Sequence, residues 1–171
     1  MKVIDAIKGR RSVRAFKRKE IEKEKIELLK EALIWAPSAG NLQSRKFYFV
    51  SSKKLKEEIA IAALNQEFIA QAPLVAIACT DSRIQQRYGE RGKELYNKLD
   101  VAASVQNLML EAFELGLGTC WIGAFNEEKI KGILNLPKNL TPITIIPVGY
   151  PAEKLSAPKR KRREEAVEEI K

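Results

Sequence analysis

Apolar positions spaced by three and four, with small residues between them, dominate residues 95–115; Leu95, Leu99, Val105, Leu108, Met109 and Ala112 set the rhythm, joined by Tyr96, Ala102, Ala103, Phe113 and Leu115. No proline or glycine intervenes, so the pattern predicts a long amphipathic helix buried on most sides. Gly116 is expected to end it, as a residue free to take positive φ just past a helix terminus. The next stretch, Leu117-Gly118-Thr119-Cys120-Trp121-Ile122-Gly123, sets β-branched and aromatic residues between glycines. It is expected to form a short strand whose bare backbone is approached closely by another group.

The same patterns divide the rest of the chain. Val3, Ile4, Ala6 and Ile7 predict a turn or two of amphipathic helix ending near Gly9. A second helix starts near Glu22, carries Ile26, Leu29, Ala32 and Leu33 on one face, and stops before Pro37. Residues 47–50 predict a strand, 54–64 a helix, and 65–72 an irregular segment ending at Pro73. The continuous apolar run 74–79 predicts a strand buried on both faces. A polar, arginine-bearing segment spans 81–92, Asn126 is placed to cap a short helix through Ile133, and 143–150 predicts a last strand. Helices outnumber strands and strict strand–helix–strand units are missing. The expectation is one α+β domain over residues 1–171, a mixed sheet between helices, with a charged tail at about 152–171.

At 171 residues the chain suits a single core. No apolar stretch is long enough to cross a bilayer and no leader pattern opens the sequence, so a soluble, cytoplasmic protein without membrane partners is expected. Cys79 and Cys120 sit in apolar surroundings, far apart, and are expected to be buried thiols. Histidine is absent, which excludes Ser-His-Asp triads, Cys-His dyads and histidine-ligated zinc, and no metal is expected. The formal charge of +9 favours anionic partners. Its unbalanced part gathers at Arg10-Arg11-Ser12-Val13-Arg14 and Lys159-Arg160-Lys161-Arg162-Arg163.

The first cluster has the chemistry of a phosphate receptor, because guanidinium forks bind phosphate oxygens bidentately and a hydroxyl adds a donor. The loop Pro37-Ser38-Ala39-Gly40-Asn41-Leu42-Gln43 offers two amides that can both donate and accept, which suits the imide edge of a heterocycle. Gly116-Leu117-Gly118-Thr119 lacks the third glycine and the following helix of a dinucleotide fingerprint, so Rossmann-type binding is not expected.

Four motifs then stand in order: Arg-Arg-Ser-Val-Arg at 10–14, Ala-Pro-Ser-Ala-Gly-Asn-Leu-Gln at 36–43, Ala-Pro-Leu-Val at 72–75 and Gly-Leu-Gly-Thr-Cys-Trp-Ile-Gly-Ala-Phe at 116–125. Together they resemble the nitroreductase family of FMN-dependent oxidoreductases, over nearly the whole chain. The resemblance implies a mainly antiparallel sheet flanked by helices and an interlocked homodimer with FMN bound between subunits. It assigns Arg10, Arg11 and Ser12 to the flavin phosphate and ribityl end, and Arg14 to the N1 and C2-carbonyl edge. Pro37, Ser38 and Ala39, with Asn41 and Gln43 nearby, would come from the other subunit to cover the ring. Asn65 or Gln66 would reach the pyrimidine edge or ribityl chain, and the backbone of Ile122 and Gly123 would lie against N5. Arg160 and Arg162 fall where the family places further phosphate-binding cations.

The implied activity is hydride transfer from NADH or NADPH to FMN, then reduction of a small acceptor such as a nitroaromatic, quinone or flavin, with no protein acid or base. Alternatives are a specialised flavin enzyme on the same scaffold (ene-reducing, dehalogenating or flavin-destroying) or a non-catalytic flavin-binding protein. Nucleic-acid binding through the basic tail is disfavoured by Glu164, Glu165, Glu168 and Glu169 immediately downstream. Two departures stand out. Ser44-Arg45 replaces the Pro-Trp that many members carry after the glutamine, and the chain is too short for the helical insertion of longer members, which implies an open pocket.

Overall fold

The structure is a computed structural model that describes residues 2–170. Helix α1 (Val3–Gly9) and helix α2 (Lys23–Ile34) precede a 3₁₀ turn at Ala39–Asn41 and strand β1 (Arg45–Val50). Helices α3 (Lys53–Ala62) and α4 (Phe68–Gln71) lead to strand β2 (Leu74–Asp81), and α5 (Gln85–Arg91) follows. A π-helical turn at Gly92–Tyr96 then feeds the long helix α6 (Asn97–Glu114). Strand β3 (Gly118–Thr119), helix α7 (Glu127–Leu134), strand β4 (Leu140–Gly149) and helix α8 (Arg163–Ala166) complete the order.

The strands form one antiparallel sheet in the order β1-β2-β4-β3. Strand β2 is buried at every position, as its unbroken apolar run requires, and its side chains alternate between two layers. Leu74, Ala76 and Ala78 meet Leu29 and Leu33 of α2 and Val101, Val105 and Leu108 of α6. Val75, Ile77 and Cys79 meet Ile59 of α3, Ile69 of α4 and Ile130 of α7 on the other side. Each fully buried Leu or Ile in these layers is worth about 1.5–3 kcal/mol relative to exposure, so the sheet is held from both faces.

Gly116 stops α6 as expected. Its φ is +74°, its N–H donates to Phe113 O at 3.0 Å, and Leu117 N–H donates to Ala112 O at 2.7 Å, a pair of bonds that satisfies the last helical carbonyls. Asn126 caps α7, its side chain accepting from Lys129 N–H at 2.9 Å.

Three expectations need correction. The regular α-helix starts at Asn97, and Leu95 and Leu99 face outward, while Asn97, Asp100 and Ser104 join Val101, Val105, Leu108, Met109 and Ala112 in the buried stripe. Asp100 Oδ1 accepts Ala39 N–H at 3.0 Å from the loop packed there, while Asn97 Oδ1, Asp100 Oδ2 and Ser104 Oγ find no partner among the described residues. The segment 81–92, expected only to be polar, is a 3₁₀ turn at Ser82–Ile84 followed by α5, with Gly89 at φ +55°.

The expected strand 117–123 shrinks to Gly118–Thr119, with Ile122 rejoining β4 through paired bonds to Ile145 of 3.0 Å each. Between these contacts the ribbon passes Pro147. The amide of Ile145 points toward the ribbon, so residue 147 does too by the strand's period of two, and proline has no N–H to give.

Candidate functional site

The N-terminal arginine motif is laid down beside the glycine ribbon by main-chain pairing. Ser12 bridges Thr119 in parallel, and Val13 N–H donates to Thr119 O at 2.9 Å. Gly118 is bare for this reason: a β-carbon there would fall 2.6 Å from Val13 Cγ2. The close approach foreseen for the ribbon is therefore made in part by the chain itself. Gly123, by contrast, has nothing within 4 Å of where its β-carbon would stand, so its backbone opens to a ligand.

The tail closes over the same motif. Glu153 Oε1 accepts the N–H groups of Arg14 at 2.6 Å and Ala15 at 3.0 Å, and Ala152 N–H donates to Ala15 O at 2.9 Å. A cavity of about 300 Å³ lies between Arg10, Arg11 and Ser12 on one wall and Ser156, Pro158 and Arg160 on the other. A neighbouring cavity of about 190 Å³ shares Arg10 and Arg11 and reaches Phe113 and Thr119.

The cations divide by what they hold. The Arg11 guanidinium is spent on carbonyls, with Nη1 donating to Lys8 O and Arg10 O at 2.7 Å each and Nε to Ser156 O at 3.2 Å. It ties the tail to the end of α1, with its Nη2 group left unbonded among the described residues at the cleft wall. The guanidinium groups of Arg10 and Arg160 make no hydrogen bond or ion pair with any described residue, which leaves both forks to an anion in the cavity. Arg162 instead donates to Glu165 Oε1 at 2.7 Å and does not line the cleft. Burial pushes the Cys120 thiol above its ordinary range, while the adjacent Arg14 charge, the Ser12 hydroxyl and the Arg10 charge pull the other way. Cys79 is pushed up to about 12 by burial, so neither buried thiol has thiolate character.

The two amides at 65–66 separate in the same manner. Gln66 Nε2 donates to Ala63 O at 2.8 Å and to Ala124 O at 3.2 Å, which anchors the ribbon beside Gly123. Asn65, at φ +58°, is exposed and keeps its side chain free of the other described residues. Asn65 thus presents its amide to solvent, while Gln66 ties the ribbon to the end of α3.

The loop at 37–43 is elsewhere. Gly40, Asn41 and Gln43 all have φ between 52° and 54°, and Ser38 Oγ accepts Gln43 N–H at 3.0 Å. Arg45 clamps the loop, donating to Ala36 O at 2.6 Å, Pro37 O at 2.9 Å, and Ile34 O and Asp100 O at 3.3 Å. Asn41 and Gln43 are exposed, and no residue of 37–43 lines the arginine cleft of its own chain. Arg45 and Glu153 were not anticipated as site residues. Each looks like an ordinary surface charge until its carbonyl or amide partners are known.

A profile of the nitroreductase family, described by that name, matches residues 7–66 and 60–150. The chain belongs to the nitroreductase family. Within it, a Methanothermobacter thermautotrophicus protein named NADH dehydrogenase/NAD(P)H nitroreductase is 32% identical over 157 residues, covering 90% of this chain and 79% of its own. The Bacillus subtilis FMN reductase (NADPH) is 29% identical over 178 residues, covering 96% and 71%. Among solved structures, a Bacteroides thetaiotaomicron protein named NADH dehydrogenase/NAD(P)H nitroreductase superposes with a TM-score of 0.85 at 33% identity, covering 98% of this chain and 96% of its own. The antiparallel sheet between helices is thus the nitroreductase fold. Among the described residues, no helix is long and apolar enough to cross a membrane.

Proposed function

We propose that this nitroreductase is a cytoplasmic NAD(P)H-dependent oxidoreductase that binds FMN and works by two half-reactions at one site. One observation carries the reading: segments 145 residues apart, at Arg11 and Ser156, meet to form a cleft with two uncommitted guanidinium groups, and Ser12 of that cleft pairs with Thr119 of the ribbon that runs on to the open backbone at Gly123. These residues fit FMN. Arg10, Ser12 and Arg160 hold the phosphate, Arg14 sets a positive charge toward the pyrimidine edge, and Ile122 and Gly123 offer main chain to the ring. Bound FMN supplies hydride acceptance and release, so the protein's part is to bind, orient and tune. NADH or NADPH enters first and leaves oxidised; a small acceptor such as a nitroaromatic, quinone or flavin then takes the same place.

The reading includes a homodimer. The loop at 37–43 does not reach the cleft of its own chain, so covering the ring takes a second copy. Val3, Ile34, Trp35 and Leu99 are more than half exposed, an apolar surface that association would cover. The chain then acts as one domain whose tail, 152–171, contributes to both cofactor and subunit contacts. The test is the absorption spectrum of the purified protein. Flavin bands bleached anaerobically by NADH or NADPH, and restored by an acceptor after the nicotinamide is removed, are expected. A colourless protein that takes up no added FMN overturns the reading.

A further inference from the structure

A cavity of about 590 Å³ lies apart from the arginine cleft. It opens between the end of the 37–43 loop, strand β1 and helix α5, with Gln43 at one edge and Lys46, Tyr48, Arg83 and Arg87 around it. Its carboxylate, Asp81, is fully engaged: it accepts from Arg83 N–H at 3.0 Å, from Arg83 Nε at 2.9 and 3.0 Å, from Arg83 Nη2 at 2.5 Å and from Asn139 Nδ2 at 3.0 Å. Arg83 therefore has one face of its guanidinium left. The side chains of Lys46 and Arg87 have no hydrogen-bond or ion-pair partner among the described residues, and both residues are exposed and line the cavity. Like charges gathered around one space repel unless an anion joins them, and no uncommitted carboxylate lines this one.

Two features define the anion. Tyr48 and Leu42 give the cavity an apolar flank suited to a flat base, and Gln43 belongs to the loop expected to cover the flavin. On the flavoenzyme reading that loop covers the flavin of a second copy, so a nucleotide seated in this cavity and reaching past Gln43 would have its far end toward that copy's redox centre. We propose that the cavity seats the adenosine 2′-phosphate end of NADPH, with Lys46, Arg83 and Arg87 as the phosphate-binding cations, so that the enzyme prefers NADPH to NADH. The inference rests on the flavoenzyme reading above and adds the identity of its reductant. NADH carries the same pyrophosphate and base but lacks the additional dianion, which is the group three cations discriminate.

The experiment compares adenosine 2′,5′-bisphosphate with adenosine 5′-phosphate by calorimetry on the FMN-loaded protein at low ionic strength. The bisphosphate is expected to bind at least about tenfold tighter, the worth of one charge-assisted hydrogen bond. Lys46→Ala and Arg87→Glu are each expected to weaken it about tenfold or more and to lower the NADPH-to-NADH ratio of kcat/KM in parallel, with Lys46→Arg retaining the preference. Equal binding of the two adenosine phosphates, or a ratio indifferent to both substitutions, overturns the proposal. A yellow protein reduced equally well by either nicotinamide removes this inference and leaves the flavoenzyme standing. Failure to take up FMN sinks the parent reading and this inference with it.

Discussion

Replacing Arg45 with alanine removes the clamp that fastens the end of α2 to the loop expected to cover the flavin. The guanidinium has two short contacts, to Ala36 O at 2.6 Å and Pro37 O at 2.9 Å, and two long ones of 3.3 Å to Ile34 O and Asp100 O. A hydrogen bond from a charged donor nets about 1.5–3 kcal/mol, and the long contacts add little. Because the residue is only half-buried, water replaces part of what is lost, and a total of about 2–3 kcal/mol is expected. For a chain of this size that is a fall in melting temperature of roughly 4–12 °C. Arg45→Lys recovers only part, since one ammonium cannot span carbonyls that the planar fork bridges together. Circular-dichroism melts of wild type, Arg45→Ala and Arg45→Lys, each with and without saturating FMN, measure the order. A melt of Arg45→Ala within about 1 °C of wild type would refute the clamp, since single exposed charges usually matter that little.

Other outcomes follow from the same geometry. Arg10→Ala is expected to weaken FMN about tenfold to a hundredfold, read by fluorescence titration, whereas Arg11→Ala chiefly lowers the melting temperature because its partners are carbonyls. Gly118→Ala drives a methyl into Val13 and is expected to cost about 1–3 kcal/mol in urea unfolding, with looser FMN binding as the Ser12 bridge shifts. Glu22 is held down to about 2 by the Tyr150 hydroxyl, its own backbone amide and Lys19. A depressed carboxyl stabilises the fold above its unfolded pKa of 4.5 and stops doing so as pH falls toward 2, so Glu22→Gln should flatten the acid limb of the stability profile across that window.

Much of the architecture was legible because it rests on local rules. The run at 74–79 could only be a strand sealed on both sides, Gly116 could take the left-handed turn that ends α6, and Asn126 could cap α7. What escaped depends on residues distant in the chain. The ribbon shortens because Pro147 denies it an amide, and Asp100 turns inward because Ala39 and Arg45 bond to it from the 36–45 segment. The arginine motif was visible as chemistry, yet nothing in five consecutive residues says that Arg11 faces carbonyls while Arg10 faces space. Arg45 was noticed as a departure from the family pattern; its partners had to be seen before the departure had a purpose.

The stitching of Ser12 to Thr119 and of Arg11 to Ser156 has a consequence for how the protein is made. A ribosome delivers the first wall of the arginine cleft long before the second, and the early arginines have no resting place until the ribbon and the segment beyond β4 have emerged. The cleft is therefore among the last features to form during synthesis, and a nascent chain stalled short of residue 150 would carry its first arginine motif unmoored.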